Sequence, residues 1–455
     1  MELPRRRRTA KPNVTGVKRQ MSDFKFRILL MFEALFSGAH VAMTGGVLFV
    51  YIVSIGSGIQ GISIAVGVAA VTTIVVHILL YRYPSFLLSR VRLKFVAVLT
   101  LSRILFLFIP FIQDYLMISA VYAVAYCMPT STFMYTVIYG SLSKDEIRDV
   151  TAKRSAAFYA SSAIGFVVAM LLLAFLPPAI KFVYIYVIGV CIGFGSILVI
   201  ALMDLSHLEG MSIPRGVEQP ERLFSTSAFL IAVLASGNLL LIVWTPYVMD
   251  YLNGPDYLAV AMNLAAMLAT VIGSLLWRGR TFKTLRNTVG LDAVAPAIAP
   301  FLQVPILQPF LSALSSITYT GSNFIGYFLF AGYNRWLGAI KSSILLVIIL
   351  AVAQALVAPI SSLFRESYFL IFSAVVALKL AAMIIALLAM PEVAAVPEET
   401  ARMYSLVLFN KSMSGYRVSV EISKDTILLT LRLLGLSLML FLLYVLYRLL
   451  FILMI

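Results

Sequence analysis

An apolar stretch near residues 26–53 carries polar side chains at helical spacing. In the order i, i+4, i+7 and i+11 they are Glu33, Ser37, His40 and Thr44. This spacing places all four within about 60° on one face of an α-helix. A carboxylate in apolar surroundings can exchange a proton near neutral pH, and an imidazole seven residues along could share it. We hypothesise that Glu33 and His40 form a proton-exchanging pair. Alternatively, Glu33 pairs with a basic residue such as Arg154, or is wet and always ionised.

Other apolar stretches carry similar polar side chains. Polar groups at membrane depth face protein or a water-filled path rather than lipid. Several of these residues recur at helical spacing, such as Ser312, Ser316, Tyr319 and Asn323. We predict that a substrate or ion pathway is lined by Glu33, Ser37, His40, Tyr122, Tyr126, Asn238, Asn263, Tyr319, Asn323 and Gln354.

Three charged residues inside apolar stretches are predicted to be structural. For Arg103 and Asp292 we expect an internal ion pair or snorkelling to the interface, rather than substrate contact. Lys379 lies close to the middle of its stretch, where snorkelling reaches least well. A contact with a helix near the C-terminus is one explanation for it.

The composition shows that polar residues are rare in this chain, so each polar residue within an apolar stretch is informative about a possible site. Of 455 residues, 61% are hydrophobic and 12% are charged, against about 45–50% and about 25% in soluble domains. Soluble globular proteins, disordered chains and secreted disulfide scaffolds are therefore excluded. About 20 apolar residues cross a bilayer, so the sequence predicts an all-α integral membrane protein. The predicted spans lie near 26–53, 60–81, 95–112, 115–139, 155–176, 182–204, 226–251, 255–277, 288–304, 306–330, 339–361 and 368–390.

These spans fall into two sets of six around a polar stretch. The predicted units are a disordered basic arm (1–25), a six-helix bundle (26–204), a linker (205–225), a second six-helix bundle (226–390), a polar segment (391–425) and a thirteenth span (426–455). Within the polar segment, residues 416–422 alternate with period two, like a short strand.

The net charge of +15 is a topology signal. Nearly all Lys and Arg residues fall on one side of the predicted spans, and the opposite side receives only Lys181 and Arg365. Positive loops stay cytoplasmic, so we expect the N-terminus and the segment 391–425 inside the cell. We predict no nucleic-acid partner.

The sequence carries no pattern typical of an enzyme. Cys127 and Cys191 both lie inside predicted spans, and the histidines His40, His77 and His207 are too scattered for a metal cluster. No nucleotide-binding loop follows a strand. We therefore expect no enzymatic activity, no metal and no cofactor.

The two sets of spans echo each other in sequence. Ile109-Pro110-Phe111 is answered 190 residues later by Ala299-Pro300-Phe301. This six-plus-six layout resembles the major facilitator superfamily, as does the charged run Asp145–Asp149 ahead of the fifth span. The family's loop between spans two and three is partly kept: Arg90 and Lys94 fit, Ser89 stands at the position of an aspartate, and Arg92 replaces a glycine. The resemblance implies that Arg90, Arg92 and Lys94 form a gating loop, and that spans one, four, seven and ten surround a central cavity.

The resemblance implies secondary transport of a small organic solute across the plasma membrane by alternating access, and Glu33 suggests proton coupling. Two other functions stay open. One is a flippase for a lipid or lipid-linked saccharide. The other is a scaffold or receptor that binds a protein partner through the basic arm and residues 391–455. Membrane lipids are expected partners in each case.

Overall fold

The computed structural model describes residues 14–209, Met211 and residues 220–414. Every regular element within these residues is helical, which confirms an all-α membrane protein. Ten helices in this described part of the chain are long and apolar enough to cross a membrane. We number them by their place in the series of twelve: span 1 (Phe24–Ser54), span 2 (Gly58–Arg82), span 3 (Val91–Phe111), span 4 (Tyr115–Ser141), span 5 (Asp149–Phe175), span 6 (Lys181–Leu202), span 7 (Pro220–Tyr251), span 8 (Asp256–Trp277), span 11 (Trp336–Leu363) and span 12 (Tyr368–Ala389).

The two remaining predicted spans are also helical. Span 10 is one helix, Gln308–Gly332, whose serines and threonines make it more polar than the others. Span 9 is divided into Phe282–Leu291, Val294–Ile298 and a 3-10 turn at Ala299–Phe301. Pro296 and Pro300 lie in this divided part, and proline removes a helical hydrogen-bond donor.

Proline shapes two further places. Span 4 is interrupted between Tyr115–Cys127 and Thr130–Ser141. The residue before Pro129 is non-helical there, with ψ 131° at Met128, because a following proline disfavours the α-region. Span 3 ends in a 3-10 turn at Ile109–Phe111, the counterpart of the turn at Ala299–Phe301 in span 9. The sequence echo thus corresponds to the same local structure 190 residues apart.

The helices pack in a pattern that repeats across the molecule. Span 1 packs against spans 5 and 6, and span 7 packs against span 12. Span 4 packs on span 11 across the predicted halves, and the two most extensive contacts between the halves join span 2 with span 11 and span 5 with span 8. We call these two contacts the seams. The cavities described below lie between them.

Helical structure begins earlier than predicted. The first helix covers Val14–Met43, so residues 14–25 of the predicted disordered arm are helical, which corrects that prediction. These residues contain one glycine and no proline, so nothing stops the helix of span 1 from extending back. Residues 1–13 lie outside the described residues.

A further helix follows span 12. Residues 398–414 are helical, and Ser405 Oγ lies 2.6 Å from Ser225 Oγ near the start of span 7. Phe409 packs edge-on against Phe224, with ring centroids 5.8 Å apart. This helix therefore packs on span 7. The predicted strand-like residues 416–422 and the thirteenth span lie outside the described residues.

Candidate functional site

A cavity of about 600 Å³ lies between the two predicted halves. Its walls come from spans 1, 3, 4 and 5 on one side and from spans 7, 8, 10 and 12 on the other. We call it the main cavity. The predicted pathway residues that line it are Glu33, Ser37, Asn238, Asn263, Tyr319 and Asn323.

A second cavity of about 390 Å³ adjoins the first. It is lined by the remaining predicted pathway residues, which are His40, Tyr122, Tyr126 and Gln354. The two cavities share Asn238, Asn263 and Arg103 as wall residues. All ten predicted pathway residues therefore border one continuous polar region, although their contact with a substrate stays a prediction.

Glu33 is held in an ionic network at the wall of the main cavity. Its Oε2 lies 2.6 Å from Arg154 Nη2 on span 5, and Ser37 Oγ donates to its Oε1 at 2.7 Å. Arg103 Nη2 in turn donates to Ser37 Oγ at 3.1 Å. Glu33 is 4% exposed. The pairing with Arg154, weighed as an alternative from the sequence, is the one the structure contains.

His40 has other partners than Glu33. Its Nδ1 lies 2.9 Å from the carbonyl oxygen of Gly189 on span 6, so Nδ1 carries the proton of that hydrogen bond. Its Nε2 lies 3.4 Å from Thr44 Oγ1. Two helical turns, about 10.5 Å along the axis, separate positions 33 and 40. The structure therefore contains no direct hydrogen bond between these two residues, and any shared proton needs a bridging molecule.

Aromatic hydroxyls form much of the cavity wall. Gln354 Nε2 donates to the Tyr126 hydroxyl at 2.8 Å, and the Tyr122 and Tyr126 rings pack at a tilt of 42° with centroids 5.4 Å apart. Tyr135 and Tyr327 line the main cavity from the two predicted halves.

Sequence reasoning missed several wall residues. Tyr327 continues the face of Tyr319 and Asn323 at i+8, so the signal was available in the spacing. Tyr135 and Tyr159 also line the main cavity, and no comparable spacing marks them. Gly237 gives room to the Tyr319 ring, because a Cβ there would lie 2.8 Å from Tyr319 Cε2.

Asp292 and Lys379 form a buried ion pair in the second half of the chain. Lys379 Nζ lies 2.6 Å from Asp292 Oδ2, and the two side chains are 2% and 3% exposed. Thr318 Oγ1 donates to Asp292 Oδ1 at 3.3 Å. The partner of Lys379 in the described residues is thus a carboxylate on span 9. Lys379 also reaches the wall of the main cavity.

The predicted gating loop follows span 2. Arg90 adopts the left-handed region, with φ 50°, and precedes the first residue of span 3. Lys94 Nζ donates to Ser89 Oγ at 2.7 Å and also to the Phe86 carbonyl oxygen. The Val91 amide donates to Glu209 Oε1 at 3.2 Å. Glu209 therefore supplies a carboxylate next to this loop, where Ser89 stands at the family's aspartate position.

The remaining loop residue, Arg92, faces the segment after span 6. Asp204 accepts hydrogen bonds from the hydroxyl and the amide of Ser206. These bonds, with smaller contributions from His207 and Arg92, hold the pKa of Asp204 below its ordinary value. We call the face that bears this loop the basic face.

Side-chain contacts between the predicted halves lie at both membrane faces. At the face opposite the basic face, Lys181 Nζ contacts Asp256 Oδ2 at 2.5 Å and Ser63 Oγ lies 2.7 Å from Ser361 Oγ. At the basic face, Arg278 pairs with Asp149, and Lys341 Nζ lies 5.8 Å from the centroid of the Tyr81 ring. The cavities are therefore enclosed laterally by packed helices.

Within the described residues, no group of three or more His, Cys, Asp or Glu could hold a metal ion. Cys127 is buried and Cys191 is exposed on span 6.

Comparisons with known proteins identify the fold. No protein-family model matches the sequence, and no curated protein matches it significantly. Among solved structures, the major facilitator proton:xylose symporter XylE bound to 6-bromo-6-deoxy-D-glucose matches with a TM-score of 0.62 at 10% identity, covering 85% of this chain and 99% of that chain. A mutant of the nucleoside transporter NupG matches with a TM-score of 0.54 at 12% identity, covering 80% and 99%. A bacterial homologue of the iron transporter ferroportin, in the outward-facing state, matches with a TM-score of 0.54 at 12% identity, covering 79% and 98%.

At these identities the likeness shows the fold alone. The chain has the major facilitator superfamily fold, and it is a multi-pass membrane protein.

Proposed function

We propose that this major facilitator protein is a secondary active transporter that moves a small organic solute across the membrane by alternating access. The observation that carries the proposal is the main cavity, which is walled by polar side chains from spans of both predicted halves. Sites between two repeated bundles are typical of such transporters. Catalysis on the solute is not part of the proposal.

Alternating access requires the contacts at each face to break in turn. The bridges at the face opposite the basic face, Lys181–Asp256 and Ser63–Ser361, join residues of the two halves. The Asp149–Arg278 pair does the same at the basic face. Opening either face separates one of these sets while the other remains, so the solute is exposed to one side at a time.

We further propose that transport is coupled to protons, and that the ion pair between Glu33 and Arg154 breaks when Glu33 is protonated. A protonated Glu33 would lose its charge attraction to Arg154, and the contact between spans 1 and 5 would weaken. The other charged or titratable groups beside this network are Arg103, through Ser37, His40, two turns along span 1, and the hydroxyls of Tyr135 and Tyr159, which line the main cavity with Arg154. Coupling between two binding events is reciprocal. A solute that displaces Arg154 from Glu33 would therefore also favour protonation of Glu33.

We also propose the plasma membrane as the location, with the N-terminus in the cytoplasm. The support is the charge asymmetry among the described loops, since the basic face carries Arg82, Arg90, Arg92 and Lys94, and the opposite face carries Lys181 and Arg365. Short basic loops are retained on the cytoplasmic side.

The contacts between the two halves favour a water-soluble substrate over a lipid. A flippase needs a lateral opening through which a headgroup can enter between the halves. Here, among the described residues, the halves are joined by Ser63–Ser361 and Lys181–Asp256 at one face and by Asp149–Arg278 at the other. A protein partner at residues 391–455 is compatible with transport, and most of that segment lies outside the described residues.

A ligand screen with a transport readout tests the proposal. Purified protein is screened by thermal shift against soluble solutes and lipids, because a ligand at 100 times its Kd should stabilise by about 2.7 kcal/mol. A soluble hit is then tested by counterflow in proteoliposomes, with Asn323→Leu beside a lipid-facing control, Leu275→Ala.

Exchange of a soluble hit that is lost in Asn323→Leu and kept in Leu275→Ala would support transport. Stabilisation by lipids alone would contradict transport of a soluble solute and would support a flippase. Binding of a soluble hit without any exchange would contradict it in favour of a receptor.

A further inference from the structure

We infer that the transported solute carries an anionic group, a carboxylate or a phosphate, and that Arg103 binds this group. The inference rests on the proposed transport function and names the substrate class of the same site. It also gives Arg103 a role different from the structural one that the sequence predicted.

The charges at the main cavity do not balance. The charged side chains among its described wall residues are Glu33, Arg103, Arg154 and Lys379. Glu33 is paired with Arg154, and Lys379 is paired with Asp292, which lies behind the wall. Of the three cations in this wall, Arg103 is therefore the one without a carboxylate in an ion pair. Its guanidinium stays charged at any physiological pH.

Arg103 has no carboxylate partner among the described residues. Its Nη2 donates a hydrogen bond to Ser37 Oγ, and its buried Nε has no hydrogen-bond partner among the described residues. The side chain is 7% exposed. A buried cation is normally paired with an anion, and here the missing anion is best supplied by a ligand.

Arg103 and Glu33 meet through Ser37 rather than in a direct ion pair. The Ser37 hydroxyl donates to Glu33 Oε1 and accepts from Arg103, so it stands between them. Glu33 Oε2 is already taken by Arg154 at 2.6 Å. The guanidinium of Arg103 therefore keeps several N–H donors free, in the planar geometry that suits two oxygens of one carboxylate or phosphate.

Arg103 is placed where a solute must pass. It lines both the main cavity and the adjoining cavity, about 18 Å along the helix axis from Val91, the start of span 3. Span 6 makes room for it, because a Cβ at Gly193 would lie 3.1 Å from Arg103 Cδ and 2.7 Å from His40 Nδ1.

The remaining walls suit an apolar or aromatic body. Where the two cavities meet, Arg103 is accompanied by Phe158, Leu241 and Met267. The adjoining cavity adds Tyr126. The site therefore fits an amphipathic organic anion, with its charge at Arg103 and its body against aromatic and aliphatic side chains.

The first experiment measures the charge preference of the cavity without needing the substrate. A single cysteine is introduced as Asn323→Cys in a Cys127→Ala/Cys191→Ser background. Its reaction rates with sulfonated and trimethylammonium methanethiosulfonate reagents are compared with those of an exposed cysteine introduced as Ser362→Cys, at the end of span 11 near Arg365 and Glu366. We expect the anionic reagent to be favoured at position 323 by about tenfold relative to the control. Arg103→Gln should remove the preference and Arg103→Lys should keep it.

The second experiment measures binding by thermal shift. The probes are benzoate against benzamide, inorganic phosphate against urea, and phosphatidic acid against diacylglycerol in matched micelles. We expect benzoate or phosphate to stabilise the protein more than its neutral partner, with the difference lost in Arg103→Gln and kept in Arg103→Lys. Lys283→Gln, which changes an exposed cation on the helix Phe282–Leu291, is the matched control and should behave like the unmodified protein. A preference for phosphatidic acid alone would assign the anion to a lipid headgroup.

Equal effects of anionic and neutral probes, with no charge preference at position 323, would overturn the inference. The first experiment measures this preference in the chain with Arg103 intact, so the test survives even if Arg103→Gln does not fold. A neutral solute that binds and exchanges independently of Arg103 would overturn the anion inference while leaving the transport proposal standing.

Discussion

Arg154 and Glu33 join spans 5 and 1 by a buried ion pair, with Nη2 and Oε2 2.6 Å apart and side chains 19% and 5% exposed. Two charges taken out of water are costly unless they are paired and hydrogen-bonded. Glu33 meets this condition through Arg154 and Ser37. Any event that neutralises Glu33 therefore also changes the electrostatics of Arg154, on a helix that forms one of the two seams.

Glu33→Gln should uncouple solute movement from the pH gradient. A neutral amide keeps the shape of the side chain but cannot take up the proton. We expect counterflow in proteoliposomes to continue, while uptake driven by an imposed pH gradient falls to the level seen without one. Ser405→Ala, remote from the cavity, is the control. An equal response to the gradient in Glu33→Gln and the unmodified protein would disprove coupling through this residue.

Lys379→Met should destabilise the protein by about 3–5 kcal/mol, because it leaves the Asp292 carboxylate buried without its cation. The double variant Lys379→Met/Asp292→Leu should recover most of that loss, since an apolar pair can replace a buried ion pair at little cost. Denaturation in detergent measures both. If the double variant were as unstable as the sum of the two single variants, the pair would not be coupled.

A disulfide across one seam should stop transport. Ser63 Oγ and Ser361 Oγ lie 2.7 Å apart, close enough for the two sulfurs of Ser63→Cys/Ser361→Cys to bond in a background without Cys127 and Cys191. We expect oxidation to abolish exchange of an identified substrate and reduction to restore it. Ser63→Cys alone should be insensitive to oxidant. Full activity of the crosslinked protein would mean that this face does not open during transport.

Acid should weaken the start of the helix that leads into span 5. Hydrogen bonds from the amide and hydroxyl of Ser143, with a smaller contribution from Arg27, lower the pKa of Glu146 below its ordinary value. A lowered folded-state pKa stabilises the fold fully above the unfolded value of about 4.3, and this stabilisation is lost as the pH falls through the folded value. Glu146→Gln should therefore be less stable than the unmodified protein at pH 7, with the difference shrinking below about pH 4.3. Thermal unfolding across this pH range checks it, and a constant difference would contradict it.

Sequence reasoning located the helices because lipid tolerates only segments whose backbone hydrogen bonds are satisfied internally. In apolar spans, polar residues at helical spacing are easy to recognise. Glu33, Asn263 and Asn323 could therefore be placed at a cavity from their spacing alone. Span 9 was harder to delimit, because Pro296 and Pro300 divide it into short pieces whose length alone would not mark a membrane crossing.

The hydrogen-bond and ion-pair partners of these side chains were less predictable from the sequence than the helix faces on which they lie. The periodicity of span 1 groups Glu33 with His40, but His40 bonds to a backbone carbonyl at Gly189, which has no sequence signature. Lys379 pairs with Asp292 across 87 positions of the chain, and only packing brings them together. The spacing of single residues cannot report the charge balance of a cavity, so Arg103 could not be distinguished from a structural cation before its neighbours were known.

The helix at residues 398–414 has a mechanical consequence. Ser405 ties it to Ser225 and to the Glu221 carbonyl at the start of span 7, while Met403, Leu406 and Val407 on the same helix stay exposed. When span 7 tilts, this apolar face must travel with it through the boundary between lipid and water. The work of that movement depends on headgroup packing, so we expect the rate of the proposed transport to vary with the lipid composition of the surrounding bilayer.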